Sequence, residues 1–309
     1  MTPFVRTATG DVAPETLGRV DYHEHLFQVS PLLPGDDLDD EDAALEETRQ
    51  FAASGFETMV DATPLGLGRR PAATRRIARA AGVTVVLTTG LHRREHYRDS
   101  DPLLDAGVDD LAAAFEADLV SGAAEPGGER DPAVRAGVLK AGLGYWRIDL
   151  HSARTIEAVG RAHAATGAPV MVHLEHGTAA FEALAALDAV GVAADRVALA
   201  HIDRNPDPVL HAELAATGAY LGYDGPARAR EHPDAVILDC LVRAAEAGAA
   251  RRILLGGDVA RRTRYAAYGG IPGLRYLGER FVPRLRREGG GDLADAVLRR
   301  NPAAWLTWR

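Results

Sequence analysis

The chain has 309 residues, 47% of them hydrophobic, with a formal net charge of -9 and an isoelectric point near 5.7. An acidic chain lacks the basic surface typical of nucleic-acid-binding proteins, so we expect no nucleic-acid partner. No segment approaches the ~20 apolar residues that span a bilayer, and the N-terminus has no apolar run of signal-peptide length. We therefore expect a soluble, cytoplasmic protein with no membrane partner. Cys240 is the only cysteine, which excludes an intrachain disulfide and a thiolate metal cluster.

Short apolar runs alternate along the chain with longer segments of helical character, a pattern typical of βα units around a parallel sheet. We predict eight strands, at 19–25, 57–62, 83–89, 136–140, 169–174, 196–201, 219–223 and 252–257. We predict helices at 41–54, 72–81, 108–120, 152–166, 179–190, 208–216, 234–247, 272–287 and 292–300. Asp207 and Ser152 are the expected N-terminal caps of their helices.

Eight such units predict a single (β/α)₈ TIM barrel domain covering residues 1–309, a length common for this fold. A Rossmann-type sheet is the competing α/β architecture. It would require a glycine-rich turn after the first strand, where this chain has HEHLFQ instead. In a barrel the C-terminal ends of all strands meet at one mouth, where active sites lie. Most of the predicted strands end in an ionisable residue.

His23 and His25 stand two residues apart at the end of the first predicted strand, so their side chains point to the same face. Two neighbouring imidazoles can bind one metal ion. The competing interpretation is a pair of surface histidines.

Lys140 is the only lysine among the 35 Lys and Arg residues, which marks a position where arginine cannot substitute. A buried, unpaired ammonium is costly, so the amine is expected to be neutral or ion-paired. A neutral amine can react with CO₂ to give a carbamate, an anionic ligand able to bridge two cations. The alternative is a lysine whose ammonium reaches solvent at the rim.

His173 and His201 follow two consecutive apolar strands, and together they are predicted ligands of a second ion. Asp258 follows the eighth strand and is predicted both to bind metal and to accept a proton. We expect the other seven histidines to be solvated, although His92 and His96 could line the pocket.

Beyond these residues, the sequence resembles the phosphotriesterase family of the amidohydrolase superfamily over nearly its whole length. The matching segments are GDVAPETLG, HEHL, TTGLHRREHY, TGAPVMVHLEHGT, AHIDRNPD, GAYLGYDG, LLGGDVARR, YGGIPGLRYL and NPAAWL. The resemblance implies a binuclear centre held by the two-histidine motif, a carbamylated lysine, two later histidines and an aspartate. These positions are His23, His25, Lys140, His173, His201 and Asp258. It also implies a homodimer.

The DRNPD and YGG segments resemble a branch that hydrolyses phosphorylated sugar lactones. In that branch, cationic and tyrosine side chains after strands seven and eight bind the substrate phosphate. The candidate substrate-binding residues here are Arg228, Arg230, Arg261, Arg264 and, in the TTGLHRREHY segment, Tyr97. Positions 230 and 264 carry arginine where the branch would have lysine and tyrosine, and a solvated basic rim is the alternative.

We therefore predict a binuclear metal-dependent hydrolase, first of all a lactonase acting on lactones that include phosphorylated sugar lactones. A metal-bridging hydroxide would attack the carbonyl carbon, and the catalytic residues Asp258 and His201, with Asp203, would move the proton. Zn²⁺ is the first choice of metal, with Mn²⁺, Co²⁺ and Fe²⁺ as alternatives. The rival functions are a phosphotriesterase that hydrolyses organophosphate esters and a non-catalytic metal-binding barrel.

Overall fold

A nearly closed barrel of eight parallel strands forms the centre of the computed structural model, which describes residues 2–308. We label the barrel strands β1 to β8: Val20–Glu24, Thr58–Asp61, Thr84–Gly90, Ala136–Leu143, Val170–Leu174, Val197–Ala200, Tyr220–Tyr223 and Ile253–Leu255. Each strand pairs with the next in the sequence. Asp258 N–H then donates to His23 O at 2.9 Å, joining the last strand to the first. The predicted (β/α)₈ barrel and its eight strands are confirmed.

Helices surround the strands, at least one in each connection and two after β8. We label them α1 to α9: Glu41–Ala53, Pro71–Ala81, Val108–Val120, Leu150–Thr166, Ala180–Asp188, Pro208–Ala216, Asp234–Glu246, Val282–Asp295 and Asn301–Leu306. None of the helices within residues 2–308 has the length and apolar character needed to cross a bilayer.

We predicted the capping residue of two helices, and in both the structure has an aspartate as the cap. Asp207 accepts hydrogen bonds from the N–H groups of Val209 and Leu210, which confirms the cap of α6. The predicted cap Ser152 is wrong, because α4 begins at Leu150. Asp149 is the cap of this helix, and its carboxylate accepts a hydrogen bond from Ser152 N–H at 2.8 Å.

The last part of the chain differs from the two separate helices that we predicted. Residues 272 to 274 are not helical, and a π-helical segment, Leu277–Phe281, leads directly into α8. The predicted break between the two helices is a kink inside α8, where Gly290 has φ 85°. Only a glycine adopts this backbone without steric cost.

The barrel interior is a separate apolar cluster from the one between the strands and the helices. Val60, Val86, Val138 and Met171 belong to it. Trp305 closes the end opposite the mouth, and its Nε1–H donates to Val170 O at 3.3 Å. Strands buried on both faces explain why the predicted strands are nearly continuous apolar runs.

Candidate metal centre

Two of the predicted ligands face the barrel interior because of their register along the strands. Lys140 follows Val138 by two residues on β4, and His173 follows Met171 by two residues on β5. Since side chains two apart on a strand share a face, both lie above the interior apolar layer. Both are at the mouth, where the strands end.

His23 and His25 converge with Asp258 in the structure. The Nε2 atoms of His23 and His25 lie 3.6 and 3.4 Å from the same carboxylate oxygen, Asp258 Oδ1. All three side chains are buried, and they offer ligand atoms within 4.8 Å of one another. The Nδ1 of His25 is engaged by Thr63 Oγ1 at 2.7 Å, which fixes the ring so that Nε2 faces the aspartate.

His173 and His201 form the other half of the candidate centre. His201 Nε2 faces His173 Nδ1 at 2.7 Å, and the ring of His201 lies 5.1 Å from that of His23. Asp224, at the end of β7, connects the two halves. Its carboxylate contacts His201 Nδ1 at 2.7 Å and His23 Nδ1 at 3.0 Å, and it accepts a hydrogen bond from the Tyr22 hydroxyl.

The protonation of these imidazoles suits metal ligands. Burial lowers the pKa of His25 to about 4 and that of His201 to about 3, and it holds the pKa of His173 well below its usual value. These three imidazoles are therefore neutral at physiological pH and keep a lone pair for coordination. This donor set of neutral imidazoles and carboxylate fits a borderline divalent ion such as Zn²⁺.

Lys140 is fully buried, and its Nζ donates one hydrogen bond, to Ala62 O at 2.7 Å. Within residues 2–308 it forms no ion pair with a carboxylate at 4 Å or less. Burial lowers the pKa of its amine to about 8. A fraction of the amine is therefore neutral near neutral pH, and only a neutral amine reacts with CO₂. This agrees with the predicted carbamate rather than with a lysine at the rim.

Asp258 is held ionised by the cations around it. Burial raises the pKa of this carboxyl, but the nearby charge of Arg228 is the largest of the effects that outweigh burial, and the pKa lies well below its usual value. Arg204 donates to Asp258 Oδ2 at 2.9 Å, and Arg228 also donates to Oδ2 and to the backbone oxygen. An ionised carboxylate at this position can bind a cation or accept a proton.

Asp203, which we predicted to relay the proton together with His201, does not contact His201 in the structure. Asp203 is buried and accepts a hydrogen bond from Gly225 N–H at 2.8 Å. Asp224 is the carboxylate that touches His201. Its position at the end of the seventh predicted strand was a signal for it in the sequence.

A cavity of about 380 Å³ opens above these residues at the C-terminal ends of the strands. The metal-ligand candidates His23, His25, His173, His201 and Asp258 form its floor. Four arginines line its walls: Arg93, Arg204, Arg228 and Arg261. The cavity is thus rich in cations although the whole chain is acidic.

The structure brings two of the five predicted substrate-binding residues to this cavity, Arg228 and Arg261. Arg230 is exposed and does not line it. Arg264 is largely buried and lines a separate small pocket beside Glu24. Tyr97 is buried beneath the loop after β3, where its hydroxyl donates to Leu65 O and accepts from His92 N–H.

Several of the histidines expected to be solvated are buried. His92 and His96 are 5% and 7% exposed, line the cavity and pack with their ring centroids 3.8 Å apart. They stand two and six residues after β3, close enough to the strand end to reach the mouth. His211 is buried away from the mouth, where its ring contacts the Tyr223 hydroxyl. His176 is 58% exposed, as expected.

Sequence reasoning also missed Arg93 and Arg204. Both line the cavity, and each follows a strand end by three or four residues. The available signal was the same as for the ligands, namely position just after a strand. The signal therefore extends to residues a few positions beyond the end of a strand.

Comparison with known proteins agrees with this geometry. The model of the phosphotriesterase family matches residues 3–306. The phospho-furanose lactonase of Mycoplasmopsis agalactiae is 32% identical, with 99% of this chain and 92% of the relative covered. The phospho-furanose lactonase of Mycoplasmopsis synoviae is 30% identical, with 93% and 86% covered. The chain belongs to the phosphotriesterase family.

The fold comparison gives the same result for the phosphotriesterase family. The crystal structure of a lactonase from Listeria monocytogenes superposes with a TM-score of 0.92 and 31% identity, covering 99% of both chains. The phosphotriesterase family is a family of metal-dependent hydrolases, in agreement with the groups of buried candidate ligands at the mouth.

Proposed function

We propose that this protein is a metal-dependent hydrolase of ester bonds whose substrate is a lactone carrying a phosphate group. The observation that carries the proposal is the convergence of two imidazole Nε2 atoms on Asp258 Oδ1 beside the His173–His201 pair, under a cavity lined by four arginines. The phospho-furanose lactonases that are about 30% identical to the chain support the substrate class.

We infer that two divalent ions bind here, with Zn²⁺ as the first choice and Mn²⁺, Co²⁺ or Fe²⁺ as alternatives. His23, His25 and Asp258 would hold one ion, and His173 and His201 the other. Lys140 would join both as a carbamate, formed when its neutral amine attacks CO₂ and releases a proton. The bound ions would supply Lewis acidity that activates water and the lactone carbonyl.

The residues of the chain would then perform three tasks. Asp258, held ionised chiefly by Arg228, accepts the proton of the attacking water and passes it to the ring oxygen that leaves. Asp224 orients His201 and His23 through their Nδ1 atoms. The cavity arginines bind the substrate phosphate, since guanidinium groups match phosphate in charge and geometry.

A hydrolysis screen of the metal-loaded protein tests this function. A pH indicator would follow neutral lactones, phosphorylated sugar lactones and an activated phosphotriester, compared by kcat/KM. We expect a phosphorylated lactone to be the best substrate. Preference for neutral lactones would contradict the phosphate assignment, and dominance of the triester would make the protein a phosphotriesterase.

Failure to hydrolyse any of these, in protein shown to contain two ions per chain, would favour the non-catalytic barrel. We also propose that the chain is a homodimer, as its resemblance to the phosphotriesterase family implies. A monomeric mass in sedimentation equilibrium would contradict the dimer.

A further inference from the structure

A second, more open cavity of about 690 Å³ adjoins the catalytic one, a volume within the ~300–1,000 Å³ range of small-molecule sites. We call it the vestibule. Arg93, Glu175, His176 and Arg204 line both cavities, so the two are continuous. A molecule seated over the metal centre could extend directly into the vestibule.

Two aromatic side chains on the loop after β4 form the outer wall of the vestibule. Tyr145 and Trp146 are each 62% exposed, whereas Trp305 and Trp308 are 0% and 6% exposed. Large aromatic side chains usually bury most of their surface, so adjacent exposed ones beside a catalytic cavity indicate a binding surface. Nothing in the proposed hydrolysis uses them.

The backbone holds Trp146 in this position at a steric cost. Trp146 has φ 47°, in the left-handed region that is unfavourable for a residue with a Cβ atom. Its N–H donates to Thr178 Oγ1 at 3.0 Å, and Arg147 N–H closes the turn on Gly144 O at 3.2 Å. His176, which packs edge-on against Tyr145, also has a positive φ of 52°. Such backbone strain clusters at functional sites.

Polar side chains surround the aromatic wall. Asn205, His176 and the Arg93–Glu175 ion pair, 3.1 Å apart, line the same cavity. A sugar ring has apolar C–H faces and hydroxyl groups at its edge, so it matches an aromatic plane flanked by hydrogen-bonding groups. A purely apolar group would give Asn205 and His176 no hydrogen-bond partner.

We propose that the vestibule is a subsite for a carbohydrate ring attached to the lactone, stacked on Trp146 and Tyr145. The proposal rests on the proposed lactonase function and narrows its substrate class to phosphorylated lactones that also carry a glycosyl substituent. The lactone would lie over the metal centre, and the second ring would lie between the loop after β4 and His176.

Intrinsic fluorescence tests the subsite without any turnover, because Trp146 is the exposed one of the three tryptophans. Maltose added to the metal-loaded protein should quench or shift the emission saturably, and glucose at the same concentration should have a much smaller effect. Trp146→Phe should abolish the response. Equal responses to the two sugars, or none, would overturn the proposal. Emission already shielded from acrylamide in the free protein would show that a second copy covers the patch, which would also overturn it.

Kinetics then tests whether the second ring contributes to the reaction. Maltobiono-1,5-lactone and glucono-1,5-lactone both lack the phosphate and differ by one glucosyl ring, so their comparison isolates the second ring. The ratio of kcat/KM for the first to that for the second should fall by about tenfold in Trp146→Ala, the loss expected for one stacking contact. Trp146→Asn is the second variant, since asparagine tolerates the left-handed backbone. Val236→Ala, which truncates an exposed side chain on α7, should leave the ratio unchanged. An unchanged ratio in both Trp146 variants would overturn the proposal.

The two readouts separate this proposal from the proposed function. A protein that responds to maltose but hydrolyses no lactone retains the subsite and loses the lactonase function. A protein that hydrolyses lactones but responds equally to both sugars retains the function and loses the subsite.

Discussion

The surroundings of Lys140 in the barrel indicate the chemical form that its amine takes. Its amine lies in the barrel interior with one hydrogen bond, to a backbone oxygen, and burial lowers its pKa to about 8. An ammonium in such a place is destabilising unless it is neutralised or paired. Carbamate formation would remove the positive charge and supply a ligand at the same time.

Replacing Lys140 by methionine, which keeps the side-chain volume, should lower bound metal below two ions per chain. It should also reduce kcat/KM by at least about 100-fold, because the proposed bridge between the ions is lost. Elemental analysis and the hydrolysis assay measure the two effects, with acetate added to test chemical rescue. Full activity with two bound ions and no acetate would rule out the carbamate.

The burial of the Lys140 amine can be tested separately in metal-free protein, from the pH dependence of the stability of the wild type and of Lys140→Met. The pKa of Lys140 falls from 10.5 in the unfolded chain to about 8 in the folded one, so below pH 8 the folded state bears the full cost of a buried charge. The wild type should gain stability as the pH rises from 8 toward 10.5, since the unfolded state binds more protons in this window. The stability advantage of Lys140→Met in urea unfolding should shrink over the same range.

Arg261 and Arg230 are a matched pair for testing phosphate binding. Both are exposed arginines near the mouth, but only Arg261 lines the catalytic cavity. Arg261→Met should raise KM for a phosphorylated lactone about tenfold or more with little effect on a neutral lactone, because a charge-assisted hydrogen bond is lost. Arg230→Met should leave KM unchanged for both the phosphorylated and the neutral lactone. Equal effects of the two substitutions would mean that the arginines act only through the general charge of the rim.

At the scale of elements, strand and helix positions followed the local sequence, whereas their ends did not always do so. The eight strands were predictable because a parallel strand buried on both faces is a short, uninterrupted apolar run. The start of α4 was misplaced because both Asp149 and Ser152 are good capping residues. Only the folded backbone shows that Asp149 accepts the hydrogen bond from Ser152.

Asp207 provides a test of the cap that was correctly predicted. Asp207→Ala should lower the free energy of unfolding by about 1 kcal/mol, because two N–H groups of α6 lose their acceptor. Glu213→Ala removes an exposed carboxylate from the same helix without touching a cap and should have a much smaller effect. Urea unfolding of both variants measures the difference.

At the scale of the whole molecule, the residues of the candidate site and residues that stabilise the fold lie at opposite ends of the barrel axis. The metal-ligand candidates lie at the C-terminal ends of the strands, and Trp305 fills the opposite end. Its indole is fully buried and packs edge-on against Tyr22 at 6.2 Å. Such a separation is general in this fold, where the C-terminal ends carry the site and the other end carries stability.

Trp305→Ala should therefore destabilise the protein by about 3–5 kcal/mol while the folded fraction keeps its kcat/KM. Trp305→Phe keeps most of the ring and should cost less, chiefly the hydrogen bond to Val170 O. Denaturant unfolding measures the free energy of unfolding of each variant, and the lactone assay measures its kcat/KM. A loss of kcat/KM in Trp305→Phe at full folding would show that the two ends are coupled.

The barrel and the six candidate metal ligands were predictable from the sequence, since both depend on local patterns. Apolar runs mark the strands, and ionisable residues mark their C-terminal ends, which the fold necessarily brings to one mouth. Tertiary structure alone decided which further side chains reach that mouth. Arg204 contacts Asp258 and His92 lines the cavity, whereas Tyr97, five residues after His92, is buried beneath a loop. These positions depend on the path of loops between strands, where no periodic pattern relates the sequence to the direction of a side chain.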